Sequence, residues 1–449
     1  MRLLKSILRK SFAHGIHADD HKSETRDKAI RRLPFAPIMY LPLSQHIGAP
    51  AVPIVKVGQE VVRGEMIARA NGFMSVPIHA PATGIIESIK LMPSARGPKT
   101  ETIVLKVYEA DSQQVLCGEP IDIDALSPEE IVKGFQNIGM VGLGGAAFPS
   151  HVKLAVPEGH SVETLMVNGC ECEPYLTTDH RVMLEQTDDL IRGVKIALRA
   201  VGAQRAIIGV EDNKMDAVEA IRSRLCEDDP ITVEAVKTKY PQGAEKILLK
   251  VLLDREVPSG GHSYNIGVVM NNVGTLAQVG ALLPRGQGLI ERVVTITGPG
   301  IKKPGNYRIP LGTPIRFALD QVGWDGESGE VILGGPMMGQ AIASLDVPVT
   351  KGTSGILVFT QGEIASETRQ SHPCIKCGKC VEACPMHLNP SQLGLLAEKR
   401  QYEQMEQRFH LNDCFECGCC TYVCPAGIPL VQHFRIAKSI NREQRERAA

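Results

Sequence analysis

The chain has 449 residues, 43% of them hydrophobic, and its 49 lysines and arginines against 50 aspartates and glutamates leave a net charge of -1. That apolar content suffices for several buried cores, while so even a charge balance excludes electrostatic binding to a phosphate backbone and rules out nucleic acid as a partner. No apolar run approaches the roughly 18 residues that cross a bilayer, since the best, Ile247 to Leu253, is interrupted by Lys250.

Residues 1–32 read as an N-terminal tail. They lack the apolar centre and cleavage site of a secretory signal, so the protein is expected to stay in the cytoplasm. Leu3, Leu4, Ile7 and Leu8 recur at helical spacing with Arg2, Lys5, Arg9 and Lys10 between them. This pattern predicts a short amphipathic helix on a membrane surface or a partner, the alternative being a frayed tail.

Residues 33–115 read as β-rich, with short apolar runs punctuated by proline and glycine. The segment from Val55 through Gly58 and Gly64 to Ala68, a turn at Asn71-Gly72, and the segment from Ile78 through Gly84 read as two halves that mirror each other. They resemble the flattened barrel-sandwich hybrid of biotinyl and lipoyl domains. Those domains carry a lysine at the hairpin tip, and here the tip runs from Ala70 to Ser75 without one. A swinging-carrier role is therefore not expected, and the barrel reads as a docking or structural module.

Residues 116–285 alternate helix-period and strand-like stretches, the mark of an α/β domain. Ser127, Pro128 and Glu130 form a capping box opening a helix that ends near Gly139. Strands are predicted at Val162 to Val167, Ala206 to Val210 and Ile231 to Val236, with a helical stretch over Thr178 to Ala200. Between capped helix and first strand lie Gly142, Gly144 and Gly145, then Phe148, Ser150 and Lys153. Clustered glycines let backbone N–H groups approach an anion, and a helix starting near Ser150 would add its positive end. A plain turn is the better reading of such a loop alone, because no strand precedes it. Three further loops follow apolar runs: Asn168 through Cys170, Glu171, Cys172 and Glu173; Tyr240 through Gly243, Glu245 and Lys246; and Asn271, Asn272, Gly274 and Thr275. α/β folds place ligands at such strand ends.

The next unit, residues 286–358, has turn signals at Gly298-Pro299-Gly300 and Pro304-Gly305 and shows no chemistry beyond bracing. Residues 363–436 repeat one pattern: Cys374, Cys377, Cys380 and Cys384 before Pro385, then Cys414, Cys417, Cys420 and Cys424 before Pro425. The spacing C-x2-C-x2-C-x3-C-P suits a [4Fe-4S] cluster, with three ligands on one loop and the fourth crossing from the other run. The assignment is thus Cys374, Cys377, Cys380 and Cys424 to one cluster and Cys414, Cys417, Cys420 and Cys384 to the second. Zinc would leave the fourth cysteine and its proline unexplained, and disulfides would need an oxidising compartment. Cys419, Cys170 and Cys172 read as bystanders that merely pack. Pro390 to Gln407 is predicted helical, and 437–449 is a tail.

The four loops of the α/β domain resemble, in the same order, the flavin- and NADH-binding loops of the flavoprotein subunit of respiratory complex I. Together with Ser44 to Ala49, Lys239-Tyr240-Pro241, Gly334 to Gly339 and both cysteine runs, they make the chain similar over nearly its whole length to the C subunits of Rnf-type electron-transport complexes. The order of barrel first and clusters last separates it from the related cobalamin reductases.

The resemblance implies a barrel-sandwich hybrid, a complex I flavoprotein-like α/β domain, an SLBB β-grasp domain over residues 290 to 355 and a two-cluster bacterial ferredoxin domain. It implies FMN and NAD(H) beside the two clusters. Gly144, Gly145 and Phe148 would shape the FMN pocket, Lys153 would meet its phosphate, and Asn168 and Thr275 would touch the ring or ribityl chain. Gly142, Tyr240, Gly243 and Asn272 would complete the cofactor site, with Glu171, Glu173 and Glu245 on the nicotinamide side and the first two in the catalytic role. The complex I loop has an arginine and a glycine where this chain has Leu143 and Ala147. The implied setting is the cytoplasmic face of a bacterial inner membrane, beside membrane subunits and a ferredoxin-like subunit that move ions. The rival readings are a soluble NADH-dependent flavin and iron-sulfur reductase, and a flavin-free adaptor with relay clusters.

Overall fold

The computed structural model describes residues 10–95, 97–324, 326, 329–367 and 370–448. The amphipathic helix expected from Leu3 to Leu8 lies outside them. Residues 10–32 differ from a tail: they run as an extended strap over the rest of the molecule. The strap pairs Lys10 with Val236 and Ile16 with Tyr240, and ends as the strand Arg31–Arg32 on the edge of a sheet, parallel to Gly305–Pro310. Its partners lie far along the chain, which local periodicity does not reveal.

The barrel consists of a four-stranded and a three-stranded sheet, extended by the hairpin of Gly84–Ser94 and Gly97–Val107. Alternation buries Met39, Leu41, Ile86, Ile103 and Leu105 within it. Its tip is docked: Gln136 Nε2 donates to the carbonyls of Gly72 and Ser75 at 3.2 and 3.0 Å, and His151 Nε2 to that of Phe73 at 2.7 Å.

The α/β unit is a parallel sheet in the order Ile231–Val236, Arg205–Glu211, Thr164–Gly169, Val268–Asn272. Both faces are covered by helices, so the strands are runs of Ile, Val and Met rather than alternations. The helix Pro128–Asn137 opens on the expected capping box, with Glu130 N donating to Ser127 Oγ and Ser127 N to the Glu130 carboxylate. The stretch from Thr178 divides at Gln186 into the helices Thr178–Glu185 and Thr187–Val201. Strand order reverses between Thr164–Gly169 and Val268–Asn272. This is the switch point where open α/β sheets form a crevice at their carboxyl ends.

A six-stranded sheet packed on the helix Ile315–Val322 forms the third unit. The last is helical: Pro390–Glu398, Tyr402–Gln407 and Leu430–Ala448 surround the cysteine loops. Arg400, at φ +55°, separates the first two, so the single helix expected from Pro390 to Gln407 is broken. Among the described residues no helix is long and apolar enough to cross a membrane.

Candidate cofactor and electron-transfer site

The glycine loop lies at the switch point. Gly142 N donates to Phe148 O at 2.7 Å and closes the loop, while Gly144, Gly145 and Ala146 face solvent. A Cβ on Gly144 would sit 3.0 Å from Asn272 Nδ2, whereas one on Gly145 would meet open space. Gly145 is instead required by its φ of +152°. The exposed backbone forms a cradle that a flavin or its phosphate can approach.

The helix Ser150–Leu154 starts where expected but runs only five residues, and Ser150 is buried. The helix end beside the cradle is that of Val273–Leu282, capped by Asn272 Oδ1, which accepts from Thr275 N at 3.2 Å. Thr275 is fully buried and its hydroxyl accepts from Leu143 N at 2.9 Å. It therefore braces the glycine loop from behind rather than reaching into the crevice. Asn272 Nδ2 donates to Asp179 Oδ2 at 2.6 Å. Burial, and then Glu171, push the Asp179 carboxyl up to about 7. From the third unit, buried Arg292 donates both Nη atoms to Leu143 O at 3.1 Å, and burial lowers its guanidinium to about 10. Nothing in the sequence near Arg292 marks it as part of this site.

On the opposite wall, Lys153 Nζ is 3.1 Å from Glu245 Oε2, with both side chains partly exposed. Asn168 Nδ2 donates to Gly243 O at 2.7 Å, and Gly243 packs so closely that a Cβ would lie 2.3 Å from Cys170 O. Gly144 approaches Asn272, Asn168 bonds to Gly243 and Lys153 pairs with Glu245, and Asn168 and Asn272 are register partners at the carboxyl ends of neighbouring strands.

Glu171 and Glu173 occupy other roles than free carboxylates lining a nicotinamide pocket. Glu171 accepts from Thr178 Oγ1, Asp179 N and His180 N at 2.8, 3.0 and 3.2 Å, capping the helix Thr178–Glu185. Glu173 accepts from Met337 N and Met338 N at 3.1 and 2.9 Å and latches the Gly334 to Gly339 loop; burial raises its carboxyl to about 7. Both are committed to donors within their own loops and neighbouring backbone, so their contribution is to loop shape.

Tyr240 is buried. Its hydroxyl donates to Cys417 O at 2.7 Å, and Lys246 Nζ lies 3.4 Å from Asp413. The segment that forms one wall of the crevice is therefore bonded to the second cysteine loop. Cys172, Cys417 and Met337 pack against buried Tyr240, Ala383 and Cys419 at this junction.

The cysteines ring two cavities. One, partly open to solvent, is lined by Cys374, Cys377, Cys380 and Cys424 with Ile375, Leu395 and Ile428. The other is lined by Cys384, Cys414, Cys417 and Cys420 with Cys419, Leu393 and Phe434. Each set draws its fourth cysteine from the other run. Among the described residues no three His, Cys, Asp or Glu side chains converge on one ion. Four thiols, three from one C-x2-C-x2-C loop and the fourth from the other run, are the ligand set of a cubic [4Fe-4S] cluster.

Four family models match along the chain: the RnfC barrel sandwich hybrid domain at residues 10–111, the Nuo51 FMN-binding domain at 135–281, the SLBB domain at 293–341 and the 4Fe-4S dicluster domain at 373–428. The expected order of domains holds, and FMN and two [4Fe-4S] clusters are the cofactors of its flavin and dicluster domains. Over 439 residues, 98% of this chain and 95% of the relative, it is 43% identical to the C subunit of the proton-translocating ferredoxin:NAD(+) oxidoreductase complex of Clostridium ljungdahlii. It is 40% identical to the C subunit of the Na(+)-translocating ferredoxin:NAD(+) oxidoreductase complex of Acetobacterium woodii, over 88% of this chain and 89% of that one. The C subunit of the ion-translocating oxidoreductase complex of Haemophilus influenzae is 39% identical over 95% of this chain and 64% of its own length. With all four domains in sequence and such identity over nearly its full length, the chain belongs to the family of C subunits of ion-translocating oxidoreductase complexes.

Proposed function

We propose that this chain is the NAD(H)-reactive subunit of an ion-translocating ferredoxin:NAD(+) oxidoreductase complex, exchanging electrons between NAD(H) and neighbouring subunits. It works as a peripheral subunit at the cytoplasmic face of the bacterial inner membrane, beside membrane subunits and a ferredoxin-like subunit that carry the ion path. FMN, when bound, would supply the conversion between the two-electron hydride chemistry of NAD(H) and the one-electron chemistry of the clusters.

The chain's residues hold and orient. Gly144, Gly145 and Ala146 offer backbone to the flavin, with Gly142 and Phe148 closing the loop. Lys153, here paired with Glu245, would be the cation for the phosphate. Asn168, Gly243 and Asn272 form the walls, and Thr275, Glu171 and Glu173 fix the loops behind them. Cys414, Cys417, Cys420 and Cys384 hold the nearer cluster, and Cys374, Cys377, Cys380 and Cys424 the outer one.

The observation that carries this reading is the Tyr240 hydrogen bond to Cys417 O, which joins the flavin crevice directly to the second cavity. The test is an anaerobic absorbance and EPR titration with NADH of the chain reconstituted with iron, sulfide and FMN. Flavin bleaching followed by reduced-cluster signals is expected. Clusters reducible by dithionite but untouched by NADH, with no flavin retained, would replace this reading with a flavin-free adaptor.

A further inference from the structure

The strap of residues 10–25 touches three separated pieces of the electron path. Lys237 N donates to Lys10 O at 3.0 Å, and Ile16 and Tyr240 exchange backbone hydrogen bonds of 2.9 and 3.0 Å. Next to them Gly15 N donates to Ala383 O at 3.1 Å, and His14 Nδ1 donates to Glu382 O at 2.6 Å. Ala383 directly precedes Cys384, and Tyr240 reaches Cys417. Two consecutive strap residues therefore join the flavin-side loop to the loop that delivers the crossing cysteine.

Farther along, Lys22 is buried and donates to the carbonyls of Glu171, Glu173 and Leu176, the first two at 2.8 and 2.9 Å. All three ammonium protons are used, so the loop folds around this charge as it would around a bound cation. An ammonium buried without such acceptors would be strongly disfavoured, so Lys22 and the loop constrain each other. Tyr175 N donates to Asp20 O at 2.8 Å, and the His21 and Tyr175 rings stack with centroids 4.6 Å apart.

A strap that only covered surface would tolerate side chains at its crossing point. Gly15 does not: it has φ +72°, and a Cβ there would sit 2.5 Å from Tyr240 O and 2.7 Å from the Phe12 ring. The close approach needs glycine, and the carbonyl it would strike belongs to the residue bonded to Cys417.

We infer that residues 10–25 are a clamp that sets the spacing between the flavin crevice and the Cys384, Cys414, Cys417 and Cys420 cavity, with Gly15 and His14 as positioning residues for electron transfer between them. This rests on the function proposed above. Electron transfer through protein weakens steeply with the gap between donor and acceptor, so the clamp acts on that step and not on hydride transfer, which takes place within the crevice.

The test is stopped-flow mixing of NADH with the reconstituted full chain, following flavin bleaching and cluster reduction as separate phases in wild type, Gly15→Ala and His14→Ala. With FMN and iron contents matching wild type, Gly15→Ala leaves bleaching unchanged and slows cluster reduction about 10- to 100-fold, the scale of an ångström-sized misplacement. His14→Ala loses one hydrogen bond and an edge contact with the His387 ring, and slows the same phase less; it remains readable if Gly15→Ala does not load. Wild-type cluster reduction in the variants would overturn the clamp, as would both phases falling together in proportion to lost cofactor. A wild-type chain whose flavin NADH never bleaches would instead overturn the functional reading.

Discussion

Cys424 lines the cavity of the first cysteine run and Cys384 that of the second. The fourth ligand of each proposed cluster thus comes from the other loop, as the spacing of the runs implies. Cys424→Ala is therefore expected to remove the cluster held by Cys374, Cys377 and Cys380 while leaving the other, and Cys384→Ala the reverse. Iron content and EPR of the reduced proteins check this; loss of the cluster belonging to the mutated run itself would reverse the assignment. The grouping of the cysteines around two cavities was legible because cysteine chemistry is written in local spacing. The roles of Glu171 and Glu173 were not legible, because a carboxylate's partners are set by the fold and not by its neighbours in sequence. Glu171 accepts three hydrogen bonds at a buried helix start, so Glu171→Ala should cost about 1–3 kcal/mol. A urea midpoint equal to that of wild type would remove this capping role.

Elements with a strong periodic or capping signal emerged near where the residues put them. The strands Thr164–Gly169, Arg205–Glu211 and Ile231–Val236 are short apolar runs with both faces covered, and the helix Pro128–Asn137 declares its start by Ser127 and Glu130. The strap could not be read this way. Its polar residues look like a solvated tail, and Lys22 is explained only by carbonyls some 150 positions later. The barrel tip was legible in part: the missing lysine argued against a swinging arm, but not that Gln136 and His151 would hold the tip down. Removing the two Gln136 bonds to the tip with Gln136→Leu should leave the barrel folded and loosen its tip at a cost of about 1–3 kcal/mol. Faster limited proteolysis between Asn71 and Ser75 would show it, and an unchanged cleavage rate would mean that His151 and packing suffice.

At the scale of the whole molecule, Lys351 ties three units together. Its ammonium donates to Pro77 O in the barrel and Gly139 O in the α/β unit, both at 2.7 Å, from a segment belonging to the third unit. It is fully buried, and burial holds it down to about 7 from its ordinary 10.5. The unfolded chain keeps this proton up to about 10.5, so between those values the unfolded state binds more protons and stability rises with pH. Below about 7 both states are charged and the full burial cost applies. His46 and His79, which feel Lys351 and are lowered to about 4 and about 3 mainly by burial, are already neutral in the folded state across this window. Buried Lys22 is also lowered and acts in the same direction, whereas cysteines raised by burial, such as Cys172, act oppositely above about 8.5. The discriminating quantity is thus the difference between wild type and Lys351→Met from pH 7 to 8.5. Wild type should gain stability relative to the variant as pH rises through that interval, read as diverging urea midpoints. Parallel curves would mean that Lys351 titrates near its ordinary value in the folded protein, and that the junction of the three units holds a hydrated lysine instead of a desolvated one.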